Sequence, residues 1–246
     1  MIRYLSIISL LLLISACSKE KLDDCFTSLG ENVIEERNIS GKIHSIAVSD
    51  RISVILVQDN ALEGTVLLDA PEGLIDQVKT ESNAGVLNLS NENTCNFVRS
   101  YDFEIQVTVY IDVLTDISIE SIASVTCKDT LELDSINIFN SALSDSHFKL
   151  NCREVRVESS NSASTFIEGE AMVLRANIEE VSDLDAQGLI AQEVIIDTHT
   201  PLHCYFDARK GIYGKIYGPG DLVYLAEPSL YKVVAEKVGT GVLRKK

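Results

Sequence analysis

The sequence contains no tryptophan, only four prolines, and no CxxC pair or Cys/His cluster with the spacing of a metal site. Basic side chains are also scarce, 21 against 37 acidic ones, and the resulting net charge of −16 argues against a nucleic-acid partner. Beyond the first residues no stretch has the period of an amphipathic helix, so we expect very little helix. Apolar residues make up 46% of the chain, which is typical of a folded protein.

The chain begins with the pattern of an export signal. Arg3 is followed by an apolar run over residues 5–14 that is too short to remain as a membrane-spanning helix. The run ends in Ile14-Ser15-Ala16-Cys17, which resembles the lipobox of bacterial lipoproteins. That resemblance implies cleavage before Cys17, a diacylglycerol on its sulfur and an acylated new amine. An ordinary signal peptide with a chance cysteine is the alternative.

These signals divide the chain into three parts. Residues 1–16 are the predicted lipoprotein signal peptide, residues 17–30 the acylated cysteine and a polar tether, and residues 31–246 a single domain. The membrane is therefore a predicted partner, reached through the lipid on Cys17. Two or three acyl chains anchor stably, because each buried CH2 group contributes about 0.8 kcal/mol.

Five cysteines remain after the lipid site, and an odd number cannot all pair within an exported chain. Cys127, Cys152 and Cys204 lie at strand-like positions, where thiols act as small buried apolar groups. Cys25 and Cys95 lie in polar, irregular segments instead. We predict a disulfide between these two residues, which would tie the tether to the domain.

One short apolar pair, of the form apolar-x-apolar, returns along the second half of the chain at nearly fixed spacing. The first members are separated by 19, 19, 19, 20, 18 and 19 residues. A repeat this short, with the period-2 alternation of strands, predicts a stacked β-solenoid. The pairs are Ile117-x-Ile119, Ile136-x-Ile138, Val155-x-Val157, Leu174-x-Ala176, Val194-x-Ile196, Ile212-x-Gly214 and Tyr231-x-Val233.

Each repeat carries further apolar positions, so two or three short strands form one coil. Leu131-x-Leu133 and Leu150-x-Cys152 are also 19 residues apart. Coils of about 19–20 residues would stack at the ordinary strand spacing of about 4.8 Å. A β-sandwich is the alternative, but tight Asn-Gly or Asp-Gly hairpin turns are absent. A middle position is predicted to line the interior as Cys127, Phe148, Phe166, Leu184, Cys204 and Leu222.

Three segments carry motifs whose order and spacing are more specific than any one of them. They are Gly30-x-x-x-Ile34-Glu35-Glu36-Arg37-x-Ile39 with the strands after it, Asn93-x-Cys95-Asn96-Phe97-Val98-Arg99-Ser100-Tyr101, and Gly218-Pro219-Gly220-Asp221-Leu222-x-Tyr224. Together they resemble the GIN domain family of auto-transporter adhesin heads, typical of Bacteroidetes lipoproteins. The resemblance covers residues 30–228, with the family domain at about 40–228.

The resemblance implies an all-β, right-handed parallel β-helix at the cell envelope, with no agreed activity. It also implies a lipid-anchored protein of the outer membrane, facing the periplasm or the cell surface. The family usually has Ser-Gly-Ser-Gly-Asp at its bends, whereas this chain has Asn140-Ser141-Ala142, Asn161-Ser162-Ala163 and Glu180-Val181-Ser182. Because glycine tolerates positive φ, these bends must use other residues in that conformation or change geometry.

The sequence contains only weak candidates for a catalytic or metal-binding site. Asp183 and Asp185 would share one strand face and could hold Ca²⁺ or act as acid and base in sugar cleavage, but a solvated acidic face is the better interpretation. His199 and His203 have helical spacing, yet Pro201 between them predicts a bend. We therefore assign no catalytic residue, metal ligand or cofactor.

A glycine-rich run near the last coil, residues 211–220, has no helix behind it and is not a phosphate cradle. We expect a non-catalytic envelope lipoprotein whose outward side chains bind a glycan or an envelope protein. A polysaccharide-active enzyme and a structural scaffold remain the alternatives. A localised site would lie among outward residues such as Arg156, Arg175 and Asp197.

Overall fold

A computed structural model describes residues 28–93, 103–229 and 236–246. The predicted signal peptide, the lipid site Cys17 and the predicted Cys25–Cys95 disulfide lie outside these residues. Seventeen strands and one single-turn helix make up the described part: β1 Asn32–Asn38, β2 Ser45–Val48, β3 Ser53–Gln58, β4 Thr65–Pro71, α1 Glu72–Ile75, β5 Val78–Asn83, β6 Val86–Asn91, β7 Gln106–Ile111, β8 Asp116–Ile119, β9 Ser124–Cys127, β10 Leu131–Asn140, β11 Asp145–Ser159, β12 Ser164–Ile178, β13 Asp183–Thr198, β14 Cys204–Ile216, β15 Leu222–Tyr224, β16 Glu236–Lys237 and β17 Leu243–Lys245.

The prediction of a stacked parallel solenoid is confirmed. Strands β10 to β14 are long, and each pairs in parallel with the strand one coil earlier and one coil later. The strand registers are interrupted at Asp134, Arg153 and Met172, and again between Phe166 and Glu168, so we divide each coil into three faces, which we call sheets A, B and C. Sheet A includes residues 154–159 and 173–178, sheet B residues 145–149 and 164–168, and sheet C residues 150–152 and 169–171.

The interior is apolar because every strand turns alternate side chains inward. The repeated pairs stack as predicted from Ile136 onward, with Val155, Leu174, Val194 and Ile212 in one buried column. The predicted register between the first two apolar pairs is wrong by two residues, since Ile117 pairs with Ile138 and not with Ile136. An even shift keeps the same side chains inward, so period 2 alone could not distinguish the two registers. The last pair, Tyr231-x-Val233, lies outside the described residues.

The predicted middle column needs a second correction, at Phe166. In the structure Cys127, Phe148 and Ile167 line the core, whereas Phe166 pairs with His147 and faces outward, half-buried. The neighbours of Phe166 in the sequence are the buried Thr165 and Ile167. The placement was wrong by one residue, which for a strand moves the side chain to the opposite face.

The first third of the domain departs from simple coils. Strands β5 and β6 form an antiparallel hairpin, closed by Ala84 and Gly85 with φ of 49° and 81°. Strand β4 is antiparallel to both β1 and β7. These strands cover the N-terminal end of the stack, so the first coil's apolar interior does not meet water.

At the bends, residues other than glycine adopt the left-handed backbone conformation. Ser121, Asn161 and Glu180 have φ of 58°, 60° and 55°. The Glu180 carboxylate accepts a hydrogen bond from the Asn161 amide, and the Val181 amide donates to the Asn161 carbonyl. Bonds between successive bends therefore offset part of the cost of positive φ. Among the described residues, no helix is long and apolar enough to cross a bilayer.

Candidate functional site

Four outward side chains form one column along sheet B, on successive coils of the stack. Strand register places His147 beside Phe166, Phe166 beside Asp185, and Asp185 beside Tyr205. We call these four residues the sheet B strip. They face outward because their sequence neighbours Phe148, Thr165, Leu184 and Phe206 are buried in the core.

The His147 and Phe166 rings stack face to face. Their centroids are 4.5 Å apart and their planes differ by 10°. A groove of about 260 Å³ runs over this stack and is also lined by Asp185 and Gly188. At its edge, Lys149 Nζ lies 3.5 Å from Glu168 Oε1. The groove thus presents an aromatic surface within reach of carboxylate oxygens, on a rigid sheet.

A second outward column, Asp145, Ser164 and Asp183, runs beside the strip. Ser164 Oγ donates a hydrogen bond of 2.7 Å to Asp183 Oδ1. Partial burial raises the pKa of Asp183 above its usual value, and the nearby negative charges of Asp145 and Asp185 add to the effect, while the Ser164 bond opposes it. No cation among the described side chains forms an ion pair with Asp183, so its charge remains uncompensated.

The far end of the strip is held by a polar network. Gln187 Nε2 donates to both oxygens of Asp185, at 3.0 and 2.9 Å, and the Gln187 amide donates to Oδ1. Lys246 Nζ donates a hydrogen bond to the side-chain oxygen Oε1 of Gln187 and lies 6.0 Å from the centroid of the Tyr205 ring. These bonds fix the Asp185 carboxylate beside Phe166 and leave acceptor positions on its two oxygens.

The side chains of the sheet B strip are arranged in a way that suits the binding of a ligand. Planar rings and fixed acceptors suit a ligand with flat apolar faces and hydroxyl donors. Within the described ranges, no group of three or more His, Cys, Asp or Glu side chains could hold a metal ion. Asp183 and Asp185 do share an outward face on either side of the buried Leu184, as the sequence predicts.

The structure separates the two histidines that share helical spacing. His199 stacks on Tyr217, with ring centroids 4.2 Å apart. His203 accepts a hydrogen bond of 2.9 Å from the Asp221 amide through Nδ1. Each imidazole therefore contacts the next coil. The glycine-rich run is also structural, since a Cβ at Gly214 or Gly220 would lie 1.8 Å from a carbonyl oxygen of the preceding coil.

The outward residues Arg156, Arg175 and Asp197 lie together on sheet A and line a groove of about 200 Å³. Arg175 Nε donates to Glu154 Oε1 at 2.8 Å, and Arg156 lies 3.9 Å from the same oxygen. Sequence reasoning placed these side chains correctly on the outside. The shared Glu154 carboxylate already compensates the nearer arginine, so this groove offers fewer unused groups than the strip.

Sequence reasoning missed two features of the outward surface. The first is the His147–Phe166 stack, because Phe166 was assigned to the core; the alternation of Thr165 and Ile167 around it was the available signal. The second is the pairing of Asp207, which is buried and accepts a hydrogen bond of 2.7 Å from Arg209. An i, i+2 acid–base pair on a strand predicts a shared face, and that signal was present.

Comparison with known proteins identifies the fold and the family of this chain. The family model "Putative auto-transporter adhesin, head GIN domain" matches residues 43–228. A "putative adhesin" from Bacteroides fragilis NCTC 9343 has a similar solved structure, with a TM-score of 0.79, 16% identity, and coverage of 88% of this chain and 97% of that one. No match was found among curated proteins.

Two more distant structures have the same fold. A "putative adhesin" from Parabacteroides merdae ATCC 43184 has a TM-score of 0.65 at 15% identity, over 89% of this chain and 98% of that one. A "putative lipid binding protein" from Parabacteroides distasonis ATCC 8503 has a TM-score of 0.64 at 13% identity, over 88% and 97%. At these identities the structures establish the fold alone. The family match, which spans most of the domain, shows that this chain belongs to the GIN domain family of auto-transporter adhesin heads.

Proposed function

We propose that the protein is a non-catalytic, envelope-anchored lipoprotein that binds an extended glycan along the sheet B strip. The observation that carries this proposal is the outward stack of His147 on Phe166 beside the fixed Asp185 carboxylate. Sugar rings present apolar faces that pack on aromatic rings, and their hydroxyl groups donate hydrogen bonds to carboxylate oxygens. Because the strip continues over successive coils, it suits a chain of sugars better than a single one.

The adhesin description of the family supports a binding role at the cell envelope. Anchoring follows from the lipobox-like segment that ends at Cys17, which is sequence reasoning. A lipid-bearing Cys17 would tether the domain to the outer membrane, facing either the periplasm or the cell surface. Mass spectrometry of the N-terminal peptide tests the anchor, and protease digestion of intact cells distinguishes the two sides. An unmodified Cys17 would refute anchoring by this residue.

Binding to a broad panel of neutral and charged oligosaccharides tests the proposal. We expect Phe166→Ala to lower the affinity about tenfold, because a stacked ring contributes about 0.5–1.5 kcal/mol beyond its buried area. Phe139→Ala is the matched control, since Phe139 is also an exposed aromatic residue but lies on sheet A. A wild-type protein that binds no glycan, or equal losses in the two variants, would contradict the proposal.

A second candidate function is polysaccharide cleavage, favoured by the raised pKa of Asp183. A carboxyl group that holds its proton longer can act as a general acid, with Asp185 as the partner carboxylate. Incubation with neutral and acidic polysaccharides, with and without Ca²⁺, tests this directly. Release of oligosaccharides by the wild type but not by Asp183→Asn would establish catalysis, and unchanged substrates would exclude it for the polymers used.

A further inference from the structure

The two ends of the coil stack present unpaired strand edges of the same sheet. Sheet B begins at β1, which pairs with β4 alone among the described strands, and ends at β17, which pairs with β15 alone. From β4 the sheet continues through β7, β3, β9 and the long strands to β15. An edge strand carries a row of backbone donors and acceptors that can pair with another chain.

Both ends also expose apolar side chains. Ile34 on β1 is 72% exposed and Val238, just after β16, is 67% exposed, the two highest values among large apolar residues of the described part. Val33 and Val242 lie beside them and are exposed as well. Terminal coils of a solenoid normally present a polar outer surface, so apolar exposure at both ends indicates contact with a partner.

The charges at the two ends are complementary. Residues 31–38 carry three carboxylates and one guanidinium, whereas residues 236–246 carry four basic side chains and one acidic one. Some of these charges are already paired within the chain: Glu35 lies 2.6 Å from Arg37, Arg244 2.7 Å from Asp221, and Lys245 3.5 Å from Glu227. The Lys245–Glu227 pair is half exposed and contributes little, so it can be exchanged for a contact with another copy. Two N-terminal ends would repel each other, as would two C-terminal ends, so only opposite ends attract.

We propose that copies of this protein associate head to tail, with β17 of one copy pairing beside β1 of the next. The two strands are the terminal strands of one sheet, so a second copy shifted along the axis continues the sheet. Such a contact joins two different surfaces and leaves each end open to a further copy, and the product is an extending fibre. This inference is independent of glycan binding, which uses the outward strip and leaves the ends accessible.

Sedimentation velocity over a range of protein concentrations tests the assembly, with Cys17→Ser as the background so that no lipid interferes. We expect the mean mass to grow with concentration and to fall at high salt. Ile34→Asp should weaken association at least tenfold. Leu143→Asp is the matched control, because Leu143 is 61% exposed at a bend in the middle of the stack. A monomer at all concentrations, a closed dimer, or equal effects of the two variants would overturn the proposal.

Charge reversal gives a second, sharper readout. Glu36→Lys leaves two acidic and two basic side chains in residues 31–38 and so removes the net negative charge of that end, and Lys245→Glu weakens the positive charge of the other end. Each variant alone should associate less than the wild type. An equal mixture should recover association, because the unaltered basic end of the Glu36→Lys copy can meet the unaltered acidic end of the Lys245→Glu copy. Failure of the mixture to recover would show that end charges do not pair, and the proposed interface would be wrong.

Discussion

At the residue scale, Asp183 shows how the site is kept chemically distinct from the rest of an acidic surface. Its carboxyl is half-buried, faces Asp145 and Asp185, and has only the Ser164 hydroxyl to stabilise its charge. Asp134 has the opposite environment, since Arg153 donates two hydrogen bonds to it, at 3.1 and 3.0 Å, and lowers its pKa. The pKa values of these two aspartates are therefore shifted in opposite directions, so the two side chains contribute with opposite sign to the pH dependence of stability.

We predict that Asp183→Asn stabilises the folded protein at neutral pH. The folded pKa lies above the unfolded value of 3.8, so the native state loses stability as pH rises through the folded pKa. The asparagine cannot ionise and avoids that loss, and its carbonyl can still accept the Ser164 hydrogen bond. Urea unfolding at a series of pH values measures the difference, which should disappear below the unfolded pKa.

Asp134→Asn is the control for this measurement. Its lowered folded pKa contributes stability above the unfolded value, which is lost as pH falls. The Asp134→Asn variant should therefore be no more stable than the wild type at neutral pH. A destabilised Asp183→Asn protein at neutral pH would show that burial does not penalise this carboxylate.

Gly214 is a residue at which the stack leaves no room for a side chain. Its φ is 145°, and an added Cβ would lie 1.8 Å from the Ile196 carbonyl oxygen. We predict that Gly214→Ala lowers the free energy of unfolding by about 2–5 kcal/mol, from backbone strain and steric overlap together. Thermal and urea unfolding measure the loss.

Gly41 offers the matched comparison, because its φ is 89° but nothing lies within 4 Å of an added Cβ. Gly41→Ala should cost only the conformational strain, about 1–2 kcal/mol. Equal losses at the two positions would mean that the coils can separate to admit a methyl group at Gly214.

At the element scale, the long strands β11 to β13 supply both the core and the outward columns. Buried Cys127 and Cys204 are part of that core, and burial raises the pKa of their thiols to about 11 and about 12. Partial burial likewise raises the pKa of Cys152 to about 11. These thiols are free in the structure and act as apolar side chains.

We predict that the native protein alkylates slowly near pH 8, since little thiolate is present. After denaturation without reductant three thiols should react, those of Cys127, Cys152 and Cys204. Adding reductant should expose two more if Cys25 and Cys95 are bonded, and mass spectrometry counts the labels. Five labelled cysteines without reductant would exclude the disulfide.

The strands also show which parts of the fold can be predicted from the sequence. The spacing of the apolar pairs predicts coil length and the buried column from Ile136 to Ile212, because stacking repeats the same inward position. The register of Ile117 differs by two residues, which leaves the inward alternation unchanged, so only the neighbouring strands decide it. The outward direction of Phe166 could have been predicted from the alternation of Thr165 and Ile167 around it.

At the scale of the whole molecule, the N-terminal end was the least predictable part. The Ala84–Gly85 hairpin lacks the Asn-Gly or Asp-Gly signature, and the paired residues of β1 and β4 are 27 to 39 positions apart in the sequence. Long-range antiparallel pairing leaves no local periodic signal. The candidate site was partly foreseen, since Asp183 and Asp185 were identified, whereas the rings that make it a groove were not.

The described part of the molecule is a solenoid, mostly of parallel strands, with different chemistry on each surface. The core stabilises the stack, sheet B presents the aromatic and acidic strip, and the ends carry opposite charge. A ligand that follows the strip would contact several coils at once, so its affinity should grow with ligand length until the strip is covered. Glycan binding along the sheet B strip is the function proposed for the molecule.

Hydrogen–deuterium exchange of the protein with and without a bound glycan measures whether the ligand covers the sheet B strip. We predict added protection in peptides that cover 145–149, 164–168, 183–187 and 204–206, the strands that carry His147, Phe166, Asp185 and Tyr205. Peptides over the Arg156–Arg175 groove of sheet A should not change. Protection confined to sheet A, with sheet B unchanged, would show that the strip is not the binding surface.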